Sequence, residues 1–296
     1  MKILVTGKRG QLGKSIAKIV SNSSHENEFT FVGREEFDLS SSKSISEYFD
    51  TKPDFEIIIN CAAYTSVDKA EEERDLAEKI NHLAVKQIAE FAHSQNAKLI
   101  HISTDYVFDG KNESLYLETD KPNPINVYGK TKFQGERAVL EIMPNNAMII
   151  RTSWVYSEFG TNFVKTMLKL GGEKDEISVV SDQIGSPTNA IDLASAILKI
   201  TTNKNFIKKN FPTEIYHFSN SGDASWHDFA KEIFKLTGLD CKLRPIVSEQ
   251  YPTPAKRPRN TTLNTDKIIK NFNLRIPVWQ KSLKKLLVEK LKVNFG

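Results

Sequence analysis

Through its first half this chain alternates short apolar runs with stretches whose apolar residues recur every three or four positions. Lys2-Ile3-Leu4-Val5-Thr6-Gly7 reads as a strand entering a turn, followed by a helix over about 12–20. Phe29-Thr30-Phe31-Val32 predicts a second strand, 44–49 a helix and 56–60 a third strand. Residues 71–95 predict one long helix, because Ile80, Leu83, Ala84, Ile88 and Phe91 fall roughly on one face. Strands follow at 98–103 and 148–151, with a helix between them. Strands that are apolar on nearly every residue, separated by helices, predict a parallel sheet covered on both faces. The expected class is α/β, a doubly wound sheet of Rossmann type.

The pattern loosens after about residue 170. Strands are expected at 177–180 and 215–218, and helices near 192–201 and 226–237. Pro245, Pro252, Pro254 and Pro258 mark a long irregular segment before an amphipathic helix near 278–291. The expected division is a dinucleotide-binding domain over 1–170. Residues 171–296 then form mainly a smaller substrate-binding region, with part of that chain returning to the main sheet.

Composition is that of an ordinary soluble protein, 39% apolar and 26% charged, with a formal charge of +4 over 296 residues. So small a surplus does not suggest a nucleic-acid binder, and it is compatible with an anionic small substrate. No apolar stretch is long enough to span a bilayer, and the N-terminal segment lacks the pattern of a signal peptide, so a cytoplasmic location is expected. The amphipathic stretch from Ser282 to Leu291 raises a membrane-surface or scaffold role, but a helix packed on the domain is the expected reading. Cys61 and Cys241 lie far apart, and Cys61, inside an apolar run, reads as a buried thiol. The six histidines show no ligand spacing, so no metal is expected.

Gly7, Gly10 and Gly13 form Gly-x-x-Gly-x-x-Gly between the first strand and the first helix. The first glycine permits the turn, the second lets backbone approach a pyrophosphate, and the third lets helix pack close to strand. Phosphates would then sit at a helix N-terminus, where free N–H groups and the helix dipole favour negative charge. After the second strand comes Val32-Gly33-Arg34, with no carboxylate before Glu35. Arginine there suits a 2′-phosphate, which favours NADPH, while Glu35 keeps NADH open. Arg9 can add to phosphate binding.

Tyr128 and Lys132 are four residues apart, so on a helix they share a face. A tyrosine phenol ordinarily titrates near 10, and a neighbouring ammonium is expected to lower that value. Lys132 can also bond the nicotinamide ribose. Thr104, in Ser103-Thr104-Asp105-Tyr106, should stand at the carboxyl end of a buried strand, the rim where open α/β sheets bind ligands. Its hydroxyl can bond a reacting carbonyl. Together these residues describe carbonyl reduction by a nicotinamide cofactor.

With those residues in place, the chain resembles the extended short-chain dehydrogenase/reductase superfamily and, more narrowly, the dTDP-4-dehydrorhamnose reductase family, nearly end to end. The resemblance is carried by Asn60-Cys61-Ala62-Ala63-Tyr64-Thr65, Ser103 to Gly110, Pro124 to Lys132 and Arg151 to Tyr156. Asp182 to Thr188 and Pro252 to Pro258 match motifs narrower than the superfamily. It implies NADPH-dependent reduction of the C4 ketone of dTDP-4-dehydro-β-L-rhamnose to dTDP-β-L-rhamnose. It also implies that Thr104 and Tyr128 bracket the ketone, Lys132 holds the ribose, and Asp105 and Trp154 face the sugar nucleotide. Gly10, Gln11, Leu12, Asp38, Leu39, Ala62, Ala63 and Tyr64 would line the cofactor. Some members dimerise through magnesium held by a glutamate on the first helix. Lys14-Ser15-Ile16-Ala17-Lys18 has no acid, which leaves a monomer or a homodimer without that ion. Another nucleotide-linked 4-keto-deoxysugar as substrate, or a non-catalytic NADP-binding regulatory subunit, are the alternatives.

Overall fold

The structure is a computed structural model that describes residues 1–22, 26–51 and 54–289. Its centre is a six-stranded sheet in which every pairing is parallel. The strands are β1 (Lys2–Thr6), β2 (Glu28–Val32), β3 (Ile57–Asn60), β4 (Lys98–Thr104), β5 (Ala147–Thr152) and, from the second half, the strand Glu214–Phe218. Their order is Glu214–Phe218, β5, β4, β3, β1, β2. Alternate residues feed two cores, as the period of a strand requires. Ile3, Val5, Ile57, Ile59 and Ile100 face one cluster; Leu4, Ile58, Leu99 and Ile149 face the other. The first face is covered by α1 (Gln11–Ser21) together with helices from later in the chain, and the second by α2 (Ser42–Thr51) and the helices that follow β3.

The stretch expected as one helix over 71–95 is broken. A 3-10 turn (Lys69–Glu71) precedes α3 (Arg74–Glu78), a π turn (Lys79–Leu83) and α4 (Ala84–Ser94). The π turn inserts an extra residue, and such turns are frequent at functional sites. Here it rolls Asn81 fully inward and leaves Leu83 49% exposed, so Leu83 is off the predicted apolar face. Asn81 accepts from the Tyr64 N–H, donates to the Tyr64 carbonyl and reaches Thr131 Oγ1 at 3.2 Å. Thr131 belongs to α5 (Val127–Ile142), which lies against α4.

The rest of the chain serves both the main sheet and a smaller layer. After β6 (Val155–Tyr156) come α6 (Phe163–Glu173), β7 (Glu176–Val180), β8 (Ile184–Gly185), β9 (Thr188–Asn189) and α7 (Ala190–Thr201). Helix α7 packs on α1 beside the main sheet. Next are α8 (Lys204–Ile207), the sheet strand already named, now β10, then β11 (Ala224–Ser225), α9 (Trp226–Thr237) and β12 (Lys242–Ile246). Strand β12 runs through Pro245, a residue expected to lie in irregular chain, and pairs in parallel with β7. A proline is tolerated there because the other edge of β12 pairs with no named strand among the described residues.

Helices α10 (Asp266–Phe272) and α11 (Trp279–Glu289) complete the described chain. Ile268 and Phe272 of α10 join the main-sheet core. Trp279, Leu283, Leu286 and Leu287 of α11 pack with α6 and α9 in the smaller layer. The apolar face of the terminal amphipathic stretch is therefore buried in the protein; Lys290 and Leu291 lie outside the described residues. Among those residues no helix is long and apolar enough to cross a membrane.

Candidate active site

A cleft of about 730 Å³ runs along the carboxyl rim of the main sheet and is walled on the far side by the smaller layer. At one end, β1 turns at Gly7, whose φ of 75° suits glycine, and enters α1 with Gly10 as N-cap. No side chain caps that helix, so its first N–H groups are free to meet an anion. A Cβ on Gly13 would stand 2.2 Å from the Gly7 carbonyl oxygen. Gly13 is thus the packing contact behind the turn, while Gly7, Gly10, Gln11 and Leu12 line the cleft. This bare, glycine-built cradle fits a dinucleotide pyrophosphate.

Beyond it, Arg34, Asp38 and Leu39 line the same end. Arg9 pairs with Glu35 at 2.6 Å, and Arg34 Nε lies 3.4 Å from Asp38 Oδ2, both guanidiniums largely exposed. Asp38 itself is tied to its own turn, accepting from Ser40 N–H and Oγ–H. Ala62 and Ala63 form the wall after β3. The Tyr64 side chain does not reach the cleft; its hydroxyl donates to Glu73 at 2.7 Å. Cys61, expected to be buried, is only partly so and stands on the cleft wall, with burial holding its thiol well above its usual pKa.

At the other end Thr104, Asp105, Tyr128 and Lys132 converge. β4 delivers Thr104 at the rim. α5 begins at Val127, with Asn126 accepting from Gly129 N–H as its N-cap and Glu71 accepting from Val127 N–H. A Cβ on Gly129 would lie 2.1 Å from the Tyr106 carbonyl oxygen, so only glycine lets the helix come this close. That approach puts the Tyr128 hydroxyl within hydrogen-bonding reach of Thr104.

The expected lowering of the Tyr128 pKa is not what the structure gives. Burial pushes the phenol up to about 12, with the neighbouring Thr104 hydroxyl opposing that rise and the Asp105 carboxyl adding to it. Lys132, one turn on, directs its amine to the Ile102 carbonyl at 2.6 Å and is itself pushed down to about 8 by burial. Tyr128 therefore keeps its proton at neutrality. Asp105 accepts from Thr104 at 3.1 Å, yet its Oδ2 has no well-formed partner although Thr261 lies beside it. Burial raises that carboxyl to about 7.

Trp154 faces the cleft with φ at 47°, a left-handed conformation rare for a large side chain and most often met at functional sites. It stacks on Trp226 with centroids 3.5 Å apart and planes 4° from parallel. Trp226 also lines the cleft, and sequence reasoning read it only as a helix start. Asn81 was likewise missed, since a buried asparagine inside an apolar helical pattern gives no sign of its partners.

Such a fold, with a glycine turn at one end of its cleft and Thr104, Tyr128 and Lys132 at the other, defines the class of the short-chain dehydrogenase/reductases. Comparison with known proteins narrows it. The family model described as the RmlD substrate binding domain matches residues 1–292. A dTDP-4-dehydrorhamnose reductase of Sinorhizobium fredii is 42% identical over 292 residues, 97% of each chain. A solved dTDP-4-dehydrorhamnose reductase from Clostridium acetobutylicum superposes with a TM-score of 0.89 at 41% identity, covering 97% of this chain and 99% of that one. One from Bacillus anthracis, in complex with NADP, gives 0.89 at 38% identity with the same coverage. The chain belongs to the dTDP-4-dehydrorhamnose reductase family.

Proposed function

We propose that the protein reduces the C4 ketone of dTDP-4-dehydro-β-L-rhamnose with NADPH, giving dTDP-β-L-rhamnose. The observation that carries this reading is the convergence of Thr104, Tyr128 and Lys132 in the cleft that the glycine turn enters. NADPH, when bound, supplies the hydride; Gly7, Gly10, Gln11 and Leu12 would hold its pyrophosphate, with Arg9 and Arg34 beside the adenosine 2′-phosphate. Thr104 bonds the ketone oxygen and orients it. Tyr128, protonated at neutrality, gives its proton as the alkoxide forms, and Lys132, on the same cleft wall, would bond the nicotinamide ribose. Asp105 and the Trp154–Trp226 stack meet the sugar nucleotide. The layer of α6, β7, α9, β12 and α11 is the substrate side, and the main sheet the cofactor side.

The test is direct. Pure protein with the dTDP-4-keto sugar and NADPH should consume the nicotinamide absorbance and yield dTDP-rhamnose, with NADH poorer. No consumption with this sugar, but consumption with another nucleotide-linked 4-keto-deoxysugar, would reassign the substrate.

A further inference from the structure

One carboxylate, that of Glu136, ties together the three elements that deliver the reacting end of the cleft. Glu136 stands on α5 one turn after Lys132 and two turns after Tyr128, so the three share a helix face. Its Oε1 accepts from the hydroxyl of Ser103, the residue before Thr104 on β4. The same oxygen accepts from Arg151 Nε at 2.9 Å, and Oε2 accepts from Arg151 Nη2 at 2.6 Å. Arg151 lies on β5 directly across from Ser103, just upstream of Trp154. Glu136 itself is fully buried and lines no part of the cleft, while Thr104, Tyr128, Lys132 and Trp154 all do.

Stability gives little reason for this junction. Both charges have been taken out of water, and Arg151 Nη1 has no well-formed partner among the described residues. The guanidinium instead lies over the Phe108 ring, 5.0 Å from its centroid. Desolvation of such a pair commonly cancels its attraction, and apolar residues of similar volume often serve stability as well or better. What a guanidinium and a carboxylate do supply is direction, since paired bonds between two planar groups fix distance and angle together. The back of α5 is equally constrained. A Cβ on Gly135 would lie 2.3 Å from the Asn81 carbonyl oxygen in the π turn.

We propose that Glu136, bonded to Ser103 and Arg151, is a positioning residue that holds Tyr128 and Lys132 at a fixed distance from Thr104 and Trp154. It touches none of the reacting atoms and acts through the three segments it joins. A slide of α5 along the sheet would carry the Tyr128 hydroxyl away from Thr104, and the pinned carboxylate prevents that slide. The glycine turn lies at the other end of the cleft and takes no part in the junction.

The consequence for turnover rests on the reductase reading; the geometric claim does not. The double variant Glu136→Leu/Arg151→Met removes both charges together and should keep a urea midpoint at or above that of wild type. Its kcat with the dTDP-4-keto sugar should fall roughly 10–100-fold, with the NADPH dissociation constant within about threefold of wild type. A pair that served stability alone would not separate turnover from stability in this way. Ser103→Ala, which releases only β4, should lose roughly 3–10-fold in kcat, and Ser103→Thr, which keeps the hydroxyl, should recover most of that. Crystals of the double variant, or of Ser103→Ala should the double variant not fold, should show the Thr104 and Tyr128 hydroxyls moved apart by about 0.5–1 Å. Hydroxyls that superpose on their wild-type positions overturn the proposal, whatever the activity. Unchanged kcat in both the double variant and Ser103→Ala would equally overturn it. A wild type inactive with this sugar, whose variants still show the displacement, would instead sink the reductase reading.

Discussion

Asp105 is the least well-satisfied group in the cleft, a buried carboxyl with one oxygen lacking a donor. Its folded pKa of about 7 stands above the ordinary 3.8. Between those values the folded protein binds a proton that the unfolded chain has released. Stability therefore falls as pH rises through this window, and the loss is complete above it. Asp105→Asn removes the titration. In urea denaturation it should stabilise the protein by on the order of 1–3 kcal/mol at pH 8, a gain that shrinks toward zero as pH falls to about 4. An equal gain at both pH values would refute this. At the same scale, the sequence pointed to Thr104, Asp105, Tyr128, Lys132 and Trp154, all of which line the cleft, because short motifs carry them. It did not yield Asn81 or Trp226, whose partners come from other elements. The tyrosine pKa was misjudged because a spacing of four fixes a shared helix face, not where the lysine amine ends.

Among the elements, the strand–turn–helix from β1 to α1 depends most on a single residue type. Gly13→Ala would drive a Cβ to within 2.2 Å of the Gly7 carbonyl oxygen, a backbone atom that cannot swing aside. The helix must back away from the strand, at about 2–4 kcal/mol. NADPH affinity should drop more than roughly tenfold, because the free N–H groups move with the helix. Denaturation and fluorescence titration check both, and wild-type values in each would show that the turn tolerates the methyl. Element type was legible wherever periodicity was strong, as in Trp226–Thr237, which matches its predicted range. Where local geometry departs from the regular period it was not: the π turn at Lys79–Leu83 hides inside an apparently continuous helical pattern. The prolines around β12 masked a strand whose partner, β7, lies far back in the chain.

For the molecule as a whole, a strap over residues 253–257 ties the segment after β3 to the start of α5. Arg257 bonds Asp68 with both nitrogens, at 3.0 and 2.6 Å, and Ala255 N–H donates to the same carboxylate. The Lys256 carbonyl accepts from Asn126, the N-cap of the helix bearing Tyr128. The pair is partly exposed, so its worth is in placement more than in stability. Asp68→Ala should raise KM for the sugar nucleotide roughly 3- to 10-fold and leave NADPH affinity near wild type. An unchanged KM, or a loss confined to NADPH, would show that the strap does not shape the substrate side. The doubly wound sheet was legible from the alternation of apolar strands and helices. The way the second half of the chain passes between the layers was not, because α7, β10 and α10 are placed by contacts with α1 and β5 far earlier in the sequence.

The account depends on Tyr128 being the group that protonates the reduced carbon's oxygen. The most direct measurement is kcat of Tyr128→Phe with the dTDP-4-keto sugar, beside its NADPH dissociation constant. A fall of about 10²–10⁴ in kcat with the cofactor constant within about threefold of wild type is the predicted result. Turnover close to wild type would contradict it.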